Sequence, residues 1–224
     1  RGQVEELSKI TDNTSPATMS KADIDVLLAD KWYERLKLRG YVQTRLYSLL
    51  GDDDNPGANV ASDPFVSDSQ SAGIRRGRLV YSGDLTNHLY FYTQMEFFAG
   101  VGSTTGGSTF ALQARDMYAD ISLDPAREFR ARFGLTKVPY GFSNMQSSQN
   151  RLALERPDAL NSAVEGERDM GAFLIWAPYE IRERFKSLVK MGLRGTGDYG
   201  VLSAGVFNGS GINNNDNNGK MHYI

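Results

Sequence analysis

Residues 35–47, RLKLRGYVQTRLY, decide the fold because their side chains alternate in character along the chain. The apolar members stand at even positions and the polar members at odd ones: Leu36, Leu38, Val42 and Leu46 against Lys37, Arg39, Gln43 and Arg45. A period of two predicts a β-strand with one apolar and one polar face. Such a strand suits a soluble sheet and a membrane barrel equally, so the rest of the chain must decide.

The composition excludes several classes of protein. The 224 residues are 40% hydrophobic, with a mean hydropathy of -0.43, and no apolar run approaches the ~20 residues of a membrane-spanning helix. Barrel strands face lipid with every second residue only, so a polar composition does not exclude a barrel. The absence of Cys removes thiol catalysis and Cys-based zinc sites, and a net charge of -2 gives no general attraction to nucleic acid.

Neither an enzyme nor a metal site is expected. His88 and His222 are the only histidines, and neither stands at a ligand or triad spacing. We find no catalytic residues, no metal ligands and no cofactor site in the sequence.

Four further stretches alternate like the first. They cover residues 73–85, 89–97, 115–123 and 129–137. Their lengths, about 9–13 residues, suit tilted strands crossing a bilayer. The connections at 86–88 and 124–127 are short, whereas those at 49–72, 99–110 and 138–167 are long. This asymmetry is typical of an outer-membrane barrel with its short turns in the periplasm.

The two ends of the chain need separate interpretations. A capping pattern at Ser20 and Asp23 predicts a helix over 20–33, so we expect 1–34 to be a periplasmic segment with a short helix. Residues 35–224 would then be a partial barrel. After Arg168 we expect strands at 168–177 and 199–209. Residues 178–195 form either a strand or a helical excursion. We favour the helical excursion, because it leaves the Asn-rich segment after 207 on the long-loop side.

Several motifs resemble those of the phosphate-selective porins O and P. They occur in that family's order over roughly residues 32–219: LRGYVQTR, IRRGRLVYSGDL, ARDMYADISL, FRARFGLTKVPYGF, EGERDMG and SAGVFNGSG. The resemblance implies an all-β antiparallel transmembrane barrel of about 16 strands. It also implies a homotrimer in the outer membrane of a Gram-negative-type bacterium, in contact with lipid and open to small anions.

The number of strands leaves two alternatives. The chain holds seven or eight strand candidates and ends at MHYI, without a terminal strand that closes on an aromatic residue. We therefore expect the N-terminal portion of a longer barrel, because an open sheet edge in lipid is not viable. A small eight-stranded barrel with a filled interior is the alternative.

The candidate site residues are basic. By alternation, seven side chains line the lumen: Lys37, Arg39, Arg45, Arg76, Arg78, Arg130 and Arg132. The resemblance suggests a constriction loop at 138–167, with Lys137, Arg151 and Arg156 as its basic groups. Fixed positive charge in a narrow channel attracts anions. Alternatively, these arginines pair with Asp84, Glu96, Asp116 and Asp120 and brace the wall, and 138–167 is an ordinary external loop.

Three functions remain open from the sequence. The first is passive diffusion of small anions, phosphate among the candidates. In the second, the barrel anchors a larger assembly with other envelope proteins. The third is a soluble β-sandwich whose Leu and Phe faces form a core between two sheets.

Overall fold

The computed structural model describes residues 32–48, 71–99, 110–148, 155, 165–192, 200–216 and 218–224. Residues Arg35–Ile224 form one compact unit. The helix expected over 20–33 lies outside the described residues apart from its last two positions, which begin a short 3₁₀ helix, Trp32–Arg35. Within the described part of the chain, no helix is long and apolar enough to span a membrane.

The described strands form one antiparallel sheet, in which each strand pairs with its neighbours in sequence. The strands are β1 Leu36–Tyr47, β2 Ser71–Asp84, β3 Leu89–Ala99, β4 Phe110–Ser122, β5 Phe129–Lys137, β6 Arg168–Trp176, β7 Leu202–Phe207 and β8 His222–Tyr223. This hairpin order confirms the predicted antiparallel architecture. Within the described residues, β1 and β8 are the edges of the sheet.

One face of the sheet, the apolar face, carries large hydrophobic side chains that remain uncovered. On β1, Leu38, Val42 and Leu46 are 69%, 68% and 82% exposed. Other strands continue this face with Leu112, Phe133, Leu174 and Leu202. The alternation therefore separates an uncovered apolar face from a polar one, and no second sheet packs over it in the described residues. This arrangement contradicts the β-sandwich alternative.

The opposite face, the polar face, buries charged side chains from β2 to β6. Two β-bulges increase their number: Arg75 stands between the pairs Gln43–Arg76 and Thr44–Ile74. In the same way, Arg115 interrupts the pairing of β3 with β4. An inserted residue disturbs the alternation locally. Each bulge thus adds one arginine next to a residue that already faces the polar side.

The polar face becomes apolar on β6 and β7. Phe173, Ile175 and Phe207 are buried there and pack with Val138, which follows β5 directly. The rings of Phe173 and Phe207 are stacked with centroids 6.4 Å apart. This small core holds the beginning of the segment after β5 against the polar side of the sheet. A short helix, α1 (Phe142–Met145), follows within that segment.

A second helix, α2 (Tyr179–Lys190), lies between β6 and β7 and confirms the predicted helical excursion. Glu128, in the β4–β5 turn, holds its start: the Glu128 carbonyl accepts the Ala177 amide at 2.9 Å, and its carboxylate accepts the Tyr179 amide at 2.8 Å. Consequently α2 lies at the end of the sheet that carries the short turns, here called the short-turn end. The connection from β7 to β8 lies at the opposite, long-loop end.

Candidate functional site

Two of the predicted lumenal arginines are directly opposite carboxylates on neighbouring strands. Arg78 pairs with Glu96 in the β2–β3 register, and its Nε lies 3.1 Å from Oε1. Arg132 pairs with Asp120 between β4 and β5 through bonds of 2.7 and 2.8 Å. Arg130 reaches the same Asp120 carboxylate at 3.4 Å. For these positions the geometry matches the ion pairs of the alternative interpretation.

Three other arginines surround Glu155, a residue of the segment 138–167. Arg45 and Arg75 donate to its Oε1 at 2.6 and 2.8 Å, and Arg76 donates to Oε2. The Glu155 side chain is 12% exposed. One carboxylate thus joins three positive side chains of β1 and β2 to the connection between β5 and β6.

The described residues just after β5 also contact the polar face. The Ser148 hydroxyl lies 2.5 Å from the Tyr41 hydroxyl and accepts a hydrogen bond of 2.5 Å from Arg78. Lys137 donates to the carbonyls of Met145 and Gln146 at 3.1 and 2.7 Å. Residues 138–148 therefore fold back over the sheet. Arg151 and Arg156, predicted for the same segment, lie outside the described residues.

A pocket of about 190 Å³, the loop-side pocket, lies between this segment and the sheet. Five of its lining side chains are cationic and one is a carboxylate, Asp116: the cations are Arg39, Arg78, Arg132, Lys137 and Arg168. Gln94 also lines the pocket and is 7% exposed. Its Nε2 has no hydrogen-bond acceptor among the described residues. The pocket therefore offers positive charge and an amide donor to a small anion.

Two predicted cations have no carboxylate partner within the described part of the chain. Lys37 is exposed and stands opposite Ser82 in the sheet. Arg39 is also exposed; its Nη2 donates to the Tyr92 hydroxyl at 3.3 Å, and its guanidinium carbon lies 5.9 Å from the Tyr92 ring centroid. Their charges are less compensated than those of Arg78 and Arg132.

Aromatic rings occupy the middle of the polar face. Tyr92 and Tyr118 are stacked, with centroids 5.2 Å apart. The guanidinium of Arg132 lies 3.9 Å from the Tyr118 centroid, within the range of a cation–π contact. Each end of the stacked pair therefore carries an arginine, Arg39 beside Tyr92 and Arg132 over Tyr118.

Backbone hydrogen bonds organise the turn that joins β4 to β5. The Asp124 carboxylate accepts amide hydrogen bonds from Phe129 at 2.7 Å and Glu128 at 3.1 Å. The Phe129 bond is the main reason that the pKa of Asp124 is lowered, because it stabilises the ionised form. This turn also sets the position of Glu128, which holds α2.

Alternation in the sequence does not identify four residues of the site: Glu155, Arg75, Arg115 and Arg168. Arg75 and Arg115 depend on the bulges, Glu155 on a long connection, and Arg168 on a contact between strands that are not neighbours. A pair of adjacent arginines, Arg75 and Arg76, was the one available signal. Among the described residues, no cluster of three or more His, Cys, Asp or Glu could hold a metal ion.

Comparison with known families gives one match that covers most of the chain. The model of the family described as phosphate-selective porin O and P matches residues 54–223. Comparisons with curated proteins and with solved structures gave no match. The antiparallel sheet agrees with this family in fold. The family match implies the bacterial outer membrane as the location. The chain therefore belongs to the family of phosphate-selective porins O and P.

Proposed function

We propose that this porin lets small anions, phosphate among them, diffuse passively through the outer membrane along the polar face of its sheet. The observation that carries the proposal is Arg39, an exposed guanidinium beside the loop-side pocket without a carboxylate partner in the described residues. Anions entering the pocket would meet this charge together with the free amide donor of Gln94.

The paired and unpaired cations have different roles in this mechanism. Arg78 and Arg132 are largely neutralised by Glu96 and Asp120, and they keep the wall of the pore in shape. Lys37 and Arg39 give the pore its preference, because uncompensated charge in a narrow aqueous passage attracts anions and repels cations. A guanidinium also matches two oxygens of a phosphate at once.

Residues 138–148 narrow the passage in this proposal. They cover the polar face through Ser148 and Lys137, and Glu155 holds the same connection against β1 and β2. We place the short turns, α2 and the segment 1–34 in the periplasm and the long connections outside the cell. The proposal also includes the homotrimer that the family resemblance implies.

Single-channel recording tests the proposal. In a potassium chloride gradient across a planar bilayer, the full-length protein should give a reversal potential with the sign of anion preference. The Arg39→Gln variant should shift that potential towards zero. Arg184→Gln is the matched control, because Arg184 is exposed on α2 and does not line the loop-side pocket.

A result without ion selectivity would contradict the proposal. If wild type and Arg39→Gln give the same reversal potential near zero, the polar face does not select anions. If the protein shows no ion selectivity and co-purifies with other envelope proteins, that result would favour the role of an anchor in a larger assembly.

A further inference from the structure

A second basic pocket lies at the short-turn end of the polar face. This short-turn pocket has a volume of about 370 Å³, and its charged lining consists of four arginines and one carboxylate: Arg127, Arg130, Arg132, Arg182 and Asp120. Tyr90, Tyr118 and Ser122 complete the lining. The excess of guanidinium groups gives this pocket a positive potential of its own.

The arginines reach the pocket from three different parts of the chain. Arg127 belongs to the β4–β5 turn and has a positive φ of 57°. Its guanidinium is fixed by Asp84 at 2.6 Å and by the carbonyl of Asn87 at 3.0 Å. Arg130 and Arg132 come from β5. The turn between β2 and β3 therefore helps to fix an arginine of the next turn at the pocket.

Arg182 is contributed by α2. Its Nη2 donates to the Ala126 carbonyl at 2.5 Å, while its Nε is buried without an acceptor among the described residues. The helix can present this arginine because Glu128 holds its first turn at the β4–β5 turn. A helix in this connection thus adds a cation that a tight turn between β6 and β7 could not supply.

The two pockets share part of their walls. Tyr118 and Arg132 line both the loop-side pocket and the short-turn pocket. Arg132 lies over the Tyr118 ring and is held there by Asp120. Arg132 therefore belongs to both pockets, whereas Arg182 lines the short-turn pocket and not the loop-side pocket.

We propose that the short-turn pocket is a second anion site in series with the loop-side pocket, and that it takes oxyanions of the phosphate class. This inference rests on the proposed function. Four guanidinium groups around one carboxylate favour an ion with more than one negative charge and several acceptor oxygens. Two adjacent sites also aid conduction, because an entering ion helps the previous one to leave.

The experiment measures how inorganic phosphate inhibits the chloride current of the full-length protein in planar bilayers. For Arg182→Gln we expect the half-inhibiting phosphate concentration to rise about ten- to a hundredfold, because the variant loses one charged hydrogen bond to phosphate. Arg182→Lys keeps the charge and should stay closer to wild type. Arg184→Gln, on the exposed side of the same helix, should match wild type.

The outcomes separate this inference from the proposed function. Suppose that the half-inhibiting phosphate concentration of Arg182→Gln equals that of wild type, while that of Arg39→Gln is higher. The proposed second site is then wrong and the pore function stands. If neither variant changes the inhibition, both proposals fail. A shift in Arg182→Gln that Arg184→Gln reproduces would also overturn the second site, because the pocket would then have no special role.

Discussion

Arg168 and Asp116 form a two-point ion pair across the polar face, with Nε and Nη2 of the arginine 3.0 and 3.1 Å from the two carboxylate oxygens. Arg168 begins β6 and Asp116 belongs to β4, so the pair spans the intervening strand β5. Glu167 adds a third bond to Arg168 at 3.0 Å. Arg168 is 1% exposed, which makes this one of the most buried charges of the described residues.

Removing one charge of this pair should strongly destabilise the protein. Asp116→Asn leaves the buried Arg168 with its ion pair to Glu167, at 3.0 Å. A broken buried pair typically costs about 3–5 kcal/mol. We expect a lower midpoint of urea unfolding in lipid vesicles. The double variant Asp116→Asn with Arg168→Met removes the orphaned charge and should recover part of the loss. A single variant as stable as wild type would contradict the structural role of the pair.

Glu155 should control both selectivity and the position of the segment that carries it. In Glu155→Gln, the three arginines that it joins lose their shared negative charge. We expect a reversal potential shifted further towards anion preference and faster tryptic cleavage within 138–167. Glu180→Gln removes a carboxylate on the exposed surface of α2 and is the control. Unchanged selectivity and unchanged cleavage would show that Glu155 does not hold the segment.

Arg39 should matter mainly for anion selectivity, whereas Arg78 should matter mainly for the stability of the fold. Arg78→Gln leaves Glu96 with Arg115, whose Nε lies 3.1 Å from it, but breaks the cross-strand pair. We expect this variant to unfold at lower urea and to lose less anion preference than Arg39→Gln, because Arg115 still pairs with Glu96. Arg39→Gln should show the opposite pattern. A larger loss of anion preference in Arg78→Gln than in Arg39→Gln would contradict the distinction between paired and unpaired cations.

The turn at Asp124 should give a measurable dependence of stability on pH. Its folded pKa is below the unfolded value, so the stabilisation is fully present above about pH 4 and is lost as pH falls through the lower folded pKa. Asp124→Ala should therefore be less stable than wild type at pH 7, with the difference shrinking below about pH 4. Glu180→Ala serves as the control in the same urea titrations. A difference that is constant with pH would contradict the role of the ionised carboxylate.

Much of the fold could be predicted from alternation alone. The residues Leu38, Val42 and Leu46 are exposed on one side, while Gln43 and Arg45 are half-buried on the other. The strand Phe129–Lys137 has the bounds that the sequence predicts. Alternation succeeds here because each strand has two faces in different surroundings, and a shift by one residue would exchange them.

The charge balance of the site could not be predicted in the same way. Alternation assigned Arg76 and Arg78 to one face but could not show that Glu155 and Glu96 neutralise them. Glu155 is distant in sequence from its partners, and its contact depends on how a long connection folds. The helix that carries Arg182 is predicted, but its packing at the short-turn end depends on contacts of Glu128 that leave no periodic signal in the sequence.

The bulges at Arg75 and Arg115 show that the charge on the polar face can change through the length of a strand as well as through the identity of its residues. A strict alternation allows one inward side chain for every two residues, which limits the density of charge along the strand. A single inserted residue exceeds that limit locally, while the pairing on both sides of it continues. In proteins built this way, gain or loss of one codon at a bulge would change the electric field of the passage without altering any neighbouring side chain.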